Sequence, residues 1–134
     1  MKLTNLPETI VDWSQITPTR TTGATGAASV RALRTNDVQM RIVDYHPGYL
    51  ADHWCSKGHL LYVISGELTI EHQDGRETYE LAAGMSWRSA DEEGSPHRVR
   101  TESGAEEPRR PIAMPPAQNA SQTRSTFDWR LGRT

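Results

Sequence analysis

Along this chain apolar and polar positions trade places with a period of two, and no stretch repeats convincingly near 3.6, so the pattern predicts strands and no helix. The first clear runs are 28–33 and 38–45. In the second, Val38, Met40 and Ile42 alternate with Gln39 and Arg41 as far as Val43, beyond which both faces read as buried. Asn36-Asp37 between the runs is turn chemistry. His46-Pro47-Gly48 then stops the ladder, because proline has no amide hydrogen to donate to it. A β-rich apolar run follows from Leu60 to Ile64 and closes at Gly66, with Trp54, Tyr62 and Ile64 alternating outward as packing residues.

Further strands are predicted at 67–71 and 76–81, joined by Gln73-Asp74-Gly75, since Asp-Gly readily takes the positive φ of a type I′ hairpin turn. Ala82-Ala83-Gly84 is another turn, 85–88 a short strand, 91–96 an acidic loop, and 97–100 one more strand. Many short strands at even spacing predict an all-β sandwich or barrel. Residues 1–27 carry little periodicity: 6–13 reads as an arm or edge strand pinned by Trp13, and 21–26 as loop. From Gly104 prolines 108, 111, 115 and 116 interrupt any strand, and only Ile112, Ala113 and Met114 hint at burial. Phe127 and Trp129, two apart, predict an edge strand on this subunit or a neighbouring one. The expected organisation is an irregular N-terminal arm at 1–27, a β core at 28–103, and a Pro/Arg-rich C-terminal tail at 104–134, strand-adding or intersubunit in role.

At 134 residues the chain is long enough for one domain with a real core. A net charge of -2 leaves no chain-wide basic field, so nucleic acid is not an expected partner. The tail alone is basic, with five Arg against three acids, and reads as a solvated extension. No apolar run approaches the ~20 residues of a membrane span, and residues 1–5 are too polar for a signal peptide. One cysteine rules out an intrachain disulfide and fits a reducing compartment, so the expected location is cytoplasmic.

The candidate chemistry is concentrated at Asp52-His53-Trp54-Cys55-Ser56-Lys57-Gly58-His59. If this stretch is a hairpin, His53 and Cys55 at i and i+2 project to one face. Gly58 permits the reversal, and His59 opens the next strand facing back toward the pair. Three soft or borderline donors on one face are most of a transition-metal site. His46 and His72, at a loop and a hairpin end, take surface roles.

Read outward, Gly48, His53, Cys55, His59 and Gly66 are separated by four, one, three and six residues, and Gly84, Ala90, Gly94 and His97 follow. This order resembles the paired motifs of the cupin superfamily, G-x5-H-x-H-x3-4-E-x6-G and G-x5-P-x-G-x2-H-x3-N, over roughly residues 28–103. Within the cupins it is most similar to small single-domain bacterial proteins labelled by a DHCW motif, here in the order Asp-His-Trp-Cys. The second motif departs, with Ala90 for proline and Thr101 for asparagine.

The resemblance implies a double-stranded β-helix, or jelly-roll barrel, with metal ligands at its mouth. His53 then matches the family's first histidine and His97 its last, while Cys55 stands at the second histidine and His59 at the glutamate. A thiolate with three imidazoles carries the same total charge as three imidazoles with a carboxylate, so the swap retunes the ligand set. The softer donors favour one divalent transition metal, Zn, Fe, Ni or Cu. Four ligands on a tetrahedral ion would make a closed structural site; fewer would leave a position for substrate.

Met85 and Trp87 are candidates to line the cavity, and Lys57 and Arg88 to hold an anionic substrate there. The resemblance implies metal-dependent chemistry of oxygenase or isomerase type on a small organic molecule. A non-catalytic small-ligand or metal-sensing module with the same site, and a metal-free scaffold with hydrogen-bonded histidines, remain open alternatives. It also implies a homodimer, because small cupins cover exposed sheet faces by dimerising. A final apolar strand is expected soon after Ala105, where the chain instead reads Glu106-Glu107-Pro108-Arg109-Arg110-Pro111.

Overall fold

The computed structural model describes residues 4–102 and the strand Arg124–Leu131. The described residues form β1 (Thr19–Thr22), β2 (Ala27–Thr35), β3 (Val38–Tyr45), β4 (His59–Val63), β5 (Glu67–His72), β6 (Tyr79–Ala82), β7 (Ser86–Ser89), β8 (His97–Arg100) and β9 (Arg124–Leu131), with one 3₁₀ turn at Trp13–Gln15. All strand pairings are antiparallel. One sheet has six strands in the order β1-β2-β3-β9-β4-β7, and the other has three, β6-β5-β8. The sheets do not close on each other, so the jelly roll is an open sandwich. Among the described residues no helix is long and apolar enough to cross a membrane.

Period-two alternation builds the core directly. On β4, His59, Leu61 and Val63 point in while Leu60 and Tyr62 point out, and on β5 Leu68, Ile70 and His72 point in. Leu68, Ile70 and Leu81 of the small sheet join Ala28, Val43, Tyr45, Leu61 and Val63 of the large sheet in one cluster. Val63 and Ile70 are 0% exposed and Leu68 1%, and each contributes about 1.5–3 kcal/mol by burial. Tyr62 and Ile64 are half exposed on the outer side, as their parity predicts.

Several expectations change. Residues 19–22, placed in an irregular arm, make a strand against β2 because Thr-rich chain pairs readily once a partner edge exists. The tight hairpin at Asp74-Gly75 does not form: the last β5–β6 pair is Ile70 with Tyr79, and Glu71 and His72 pair only on the other edge of β5, with Arg98 and His97 of β8. Asp74 and Arg76 bond to each other inside the wider loop. The segment 53–55 is no hairpin strand. Only Cys55 makes a bridge, to His97, so the i, i+2 argument for His53 and Cys55 does not apply.

The expected edge strand around Phe127 and Trp129 is an interior one. β9 lies between β3 and β4 of its own chain, pairing with eight residues of β3 and four of β4. Without it both neighbours would present unpaired backbone edges. The strand expected soon after Ala105 thus arrives at Arg124. The stretch holding Ile112, Ala113 and Met114 lies outside the described residues.

Candidate metal centre

Cys55, His59 and His97 come together through three separate devices. His59 opens β4 and His97 opens β8, each on the inward row of its strand. Cys55 sits on the loop before β4, tied to His97 by two backbone bonds: its N–H donates to the His97 carbonyl at 2.7 Å, and the His97 N–H donates back at 2.9 Å. Gly58 lets the loop pass close to 89–91, where a Cβ would stand 2.9 Å from both the Ser89 carbonyl and the Asp91 amide. The Gly58 N–H donates to the Asp91 carboxylate at 2.6 Å, and the Glu92 N–H donates to the Ser56 carbonyl at 2.8 Å. The loop is therefore clamped on both sides before the chain enters β4.

The donor atoms of these three residues all lie within 4.8 Å of one another. Cys55 Sγ is 3.4 Å from His59 Nε2. His59 and His97 are 9% and 5% exposed, and Cys55 is half-buried. The imidazoles pack edge to face, 4.8 Å between centroids, and Trp87 sits edge-on to His97 at 4.6 Å. His97 Nε2 is buried without a hydrogen-bond partner, an arrangement that costs about 1–3 kcal/mol unless something else satisfies the nitrogen.

Burial pushes the Cys55 thiol up, but His59, His97 and the Lys57 backbone outweigh it and hold the group at about 5, against an ordinary value of 9.0. A thiolate at neutral pH beside two imidazoles is a donor set for a borderline or soft divalent ion. Ligand bonds of ~2.0–2.3 Å place tetrahedral donors roughly 3.3–3.6 Å apart. The Cys55–His59 separation meets that spacing, and the rest closes by small side-chain movement. The residues fit a metal.

His53 stands outside this group. Its side chain is 69% exposed, and its Nδ1 lies 2.7 Å from the Asp52 carboxylate. That bond holds the Asp52 carboxyl below its usual range. Both residues nevertheless line the cavity at its mouth.

The cavity, about 410 Å³, lies against the donor group. Trp87 lines it, but Met85, Lys57 and Arg88 do not. The reason is strand parity: on β7, Trp87 faces in and Arg88 out, while Met85 is 49% exposed and Lys57 reaches Glu92 at 3.9 Å. The inward row of β3 carries Gln39, Arg41, Val43 and Tyr45 instead, and all four line the cavity. Sequence reasoning passed over Gln39 and Arg41 because polar residues alternating with Met40 and Ile42 look like an outer face; the only signal was their parity with Val43 and Tyr45.

His72 also differs from expectation. It is 9% exposed, not a surface residue. It continues the inward row of Leu68 and Ile70, with its ring 5.1 Å from Tyr79. Burial pushes its pKa down.

Solved structures similar to this one include a predicted oxalate decarboxylase from Thermotoga maritima, with TM-score 0.65 and 14% identity over 93% of this chain and 100% of that one. An RmlC-like cupin from Shewanella frigidimarina matches with TM-score 0.57 and 14% identity, covering 96% and 95%. Fe(II) HppE matches with TM-score 0.64 and 12% identity, covering 92% of this chain and 60% of that one. No protein-family model and no curated protein matches the sequence.

Proposed function

Because the chain folds as a cupin, we propose that it holds one divalent transition metal at Cys55, His59 and His97 and uses it on a small organic molecule bound in the adjoining cavity. The observation that carries this reading is the convergence of one sulfur and two imidazole donors within 4.8 Å beside a cavity of about 410 Å³. The buried, unpartnered His97 Nε2 adds to it. Three protein donors would leave a bound ion a coordination position for another ligand, as a catalytic centre needs and a closed structural one does not. Such an ion, when bound, supplies Lewis-acid or oxygen-dependent chemistry of the kind isomerases and oxygenases use.

The thiolate and imidazoles favour zinc, iron, nickel or copper over magnesium or manganese. The similar HppE is an Fe(II) protein, which supports iron within that set. His53 joins as a fourth ligand only by giving up its 2.7 Å contact with Asp52. The same reading puts the protein in the cytoplasm, as a chain with a single cysteine suits a reducing compartment. It also makes the protein a homodimer, covering the half-exposed Leu60, Tyr62 and Ile64 on the outer face of the large sheet.

Elemental analysis of untagged protein tests the proposal. One metal per chain is expected in the wild type and in His53→Ala, with loss in His97→Ala. Absence of any stoichiometric metal after reconstitution with all four ions sinks it. A metal-loaded protein that binds small molecules without converting them identifies a sensing module instead.

A further inference from the structure

Two rows of side chains, one on each face of the small sheet, run across β8 to the loop before β4. The inner row is His72, His97 and Cys55, since His72 stands opposite His97 in the β5–β8 register and Cys55 bridges His97. One residue over, on the outer face, the row is Glu71, Arg98 and Trp54. Glu71 stands opposite Arg98 and accepts from its Nε at 2.8 Å, while the Arg98 guanidinium lies 4.4 Å from the centre of the Trp54 ring. The other Glu71 oxygen accepts from Arg100 at 2.7 Å. The Arg98 and Glu71 side chains are only 28% and 21% exposed, and so little water beside an ion pair strengthens it.

The loop needs such a hold because its backbone pairing is interrupted. Leu50 bridges Arg100 and Cys55 bridges His97, so five steps along the loop match three along β8. The two surplus residues fall between Ala51, whose N–H donates to the Val99 carbonyl, and Trp54. They are Asp52 and His53, which leave the pairing and bond to each other at 2.7 Å. Past this bulge the backbone ties to β8 are the two bonds between Cys55 and His97. A slip of one residue there would turn the sulfur to the other face of the sheet. The inner row therefore depends on something that fixes the register.

We infer that Trp54, Arg98 and Glu71 are positioning residues for the Cys55 sulfur. Glu71 sets the guanidinium, the guanidinium seats the Trp54 ring, and the seated ring keeps the register that turns Cys55 toward His59 and His97. This assignment rests on the metal reading above and adds what holds its sulfur donor in place. A planar guanidinium suits both tasks at once, its edge donating to a carboxylate while its face meets an aromatic ring.

Amide hydrogen exchange followed by NMR in the metal-free full chain tests the anchor. In Trp54→Leu and Arg98→Gln the Cys55 and His97 amides are expected to exchange at least tenfold faster. The Val63 amide, which donates to the Met85 carbonyl, is expected to keep its rate. Trp54→Phe is expected to keep most of the protection, because a phenyl ring still receives the guanidinium. Cobalt(II) then reads the sulfur. The wild type is expected to show a thiolate-to-cobalt charge-transfer band; Trp54→Leu and Arg98→Gln are expected to lose most of it and to bind cobalt at least tenfold more weakly. If circular dichroism shows Trp54→Leu unfolded, Arg98→Gln carries the test, since it breaks the same contact from the other side. Unchanged exchange at Cys55 and His97, equal acceleration at Val63, or an unaltered cobalt spectrum in the folded variants overturns the inference. A wild type that takes up no cobalt sinks the metal reading, and the exchange rates then decide the anchor alone.

Discussion

Within the five residues of β4 the molecule passes from an open cavity to a closed core. His59 belongs to a donor group beside a cavity, whereas Val63, on the same row four residues on, is 0% exposed and wholly packed. On β8 His97 likewise belongs to the donor group, while Ile70 and Leu68 of β5 are packed in the core cluster. The closed end is tightly packed, with Thr101 Oγ1 as a buried hydroxyl lacking a hydrogen-bond partner there. The cavity end leaves His97 Nε2 and Ser89 Oγ buried without partners, each at a cost of about 1–3 kcal/mol. A fold tolerates such groups where another molecule is to satisfy them and where well-packed layers nearby offset the loss.

The contrast can be broken most forcefully at the closed end. Ile70→Ala is expected to destabilise metal-free protein by about 2–5 kcal/mol in urea unfolding, while the folded fraction still takes up metal normally. A loss of metal stoichiometry in that fraction would mean the two ends are not separable. At the other end, His59→Ala is expected to lower metal affinity by on the order of 100-fold or more, measured by chelator competition, with little loss of stability in the metal-free chain.

A pH series sharpens the comparison further. The Cys55 thiol is held at about 5 in the fold against 9.0 as its ordinary value. Since the folded value is the lower one, the thiolate's contribution is complete above pH 9 and is lost as pH falls toward 5. Metal-free wild type should therefore gain stability between those limits, and Cys55→Ser should lack that part of the gain. Parallel curves would show that the imidazoles do not hold the thiolate. The smallest effect is expected on the outer face of the small sheet, where Glu71 receives Arg98 at 2.8 Å and Arg100 at 2.7 Å. Arg100→Ala should cost no more than about 1 kcal/mol and leave metal uptake unchanged.

Much of the architecture was legible because alternation with period two is a local property. β3 and β8 appear at the expected residues, β4 opens at His59, and Asn36 turns the chain with φ 53°. Local pattern failed where pairing depended on a distant partner. The Asp74-Gly75 turn chemistry was real, with Gly75 at φ 76°, yet the β5–β6 ladder stops at Ile70 and Tyr79 and leaves a wider loop. Thr19–Thr22 looks like loop until β2 supplies an edge. Arg41 has the parity of Val43 but the chemistry of a surface residue, and only the opposite wall of the cavity shows which property governs its place.

By itself the sequence determined that the chain would be strands, which rows would be apolar, and that soft donors would cluster near residue 55, because strand parity and side-chain chemistry are carried by neighbours. The tertiary structure decided which of those donors meet, drawing His97 to Cys55 across a backbone bridge and leaving His53 with Asp52. It also decided that 124–131 would lie inside the large sheet instead of at its edge. Both decisions come from contacts between residues far apart in the chain, and no local period encodes those.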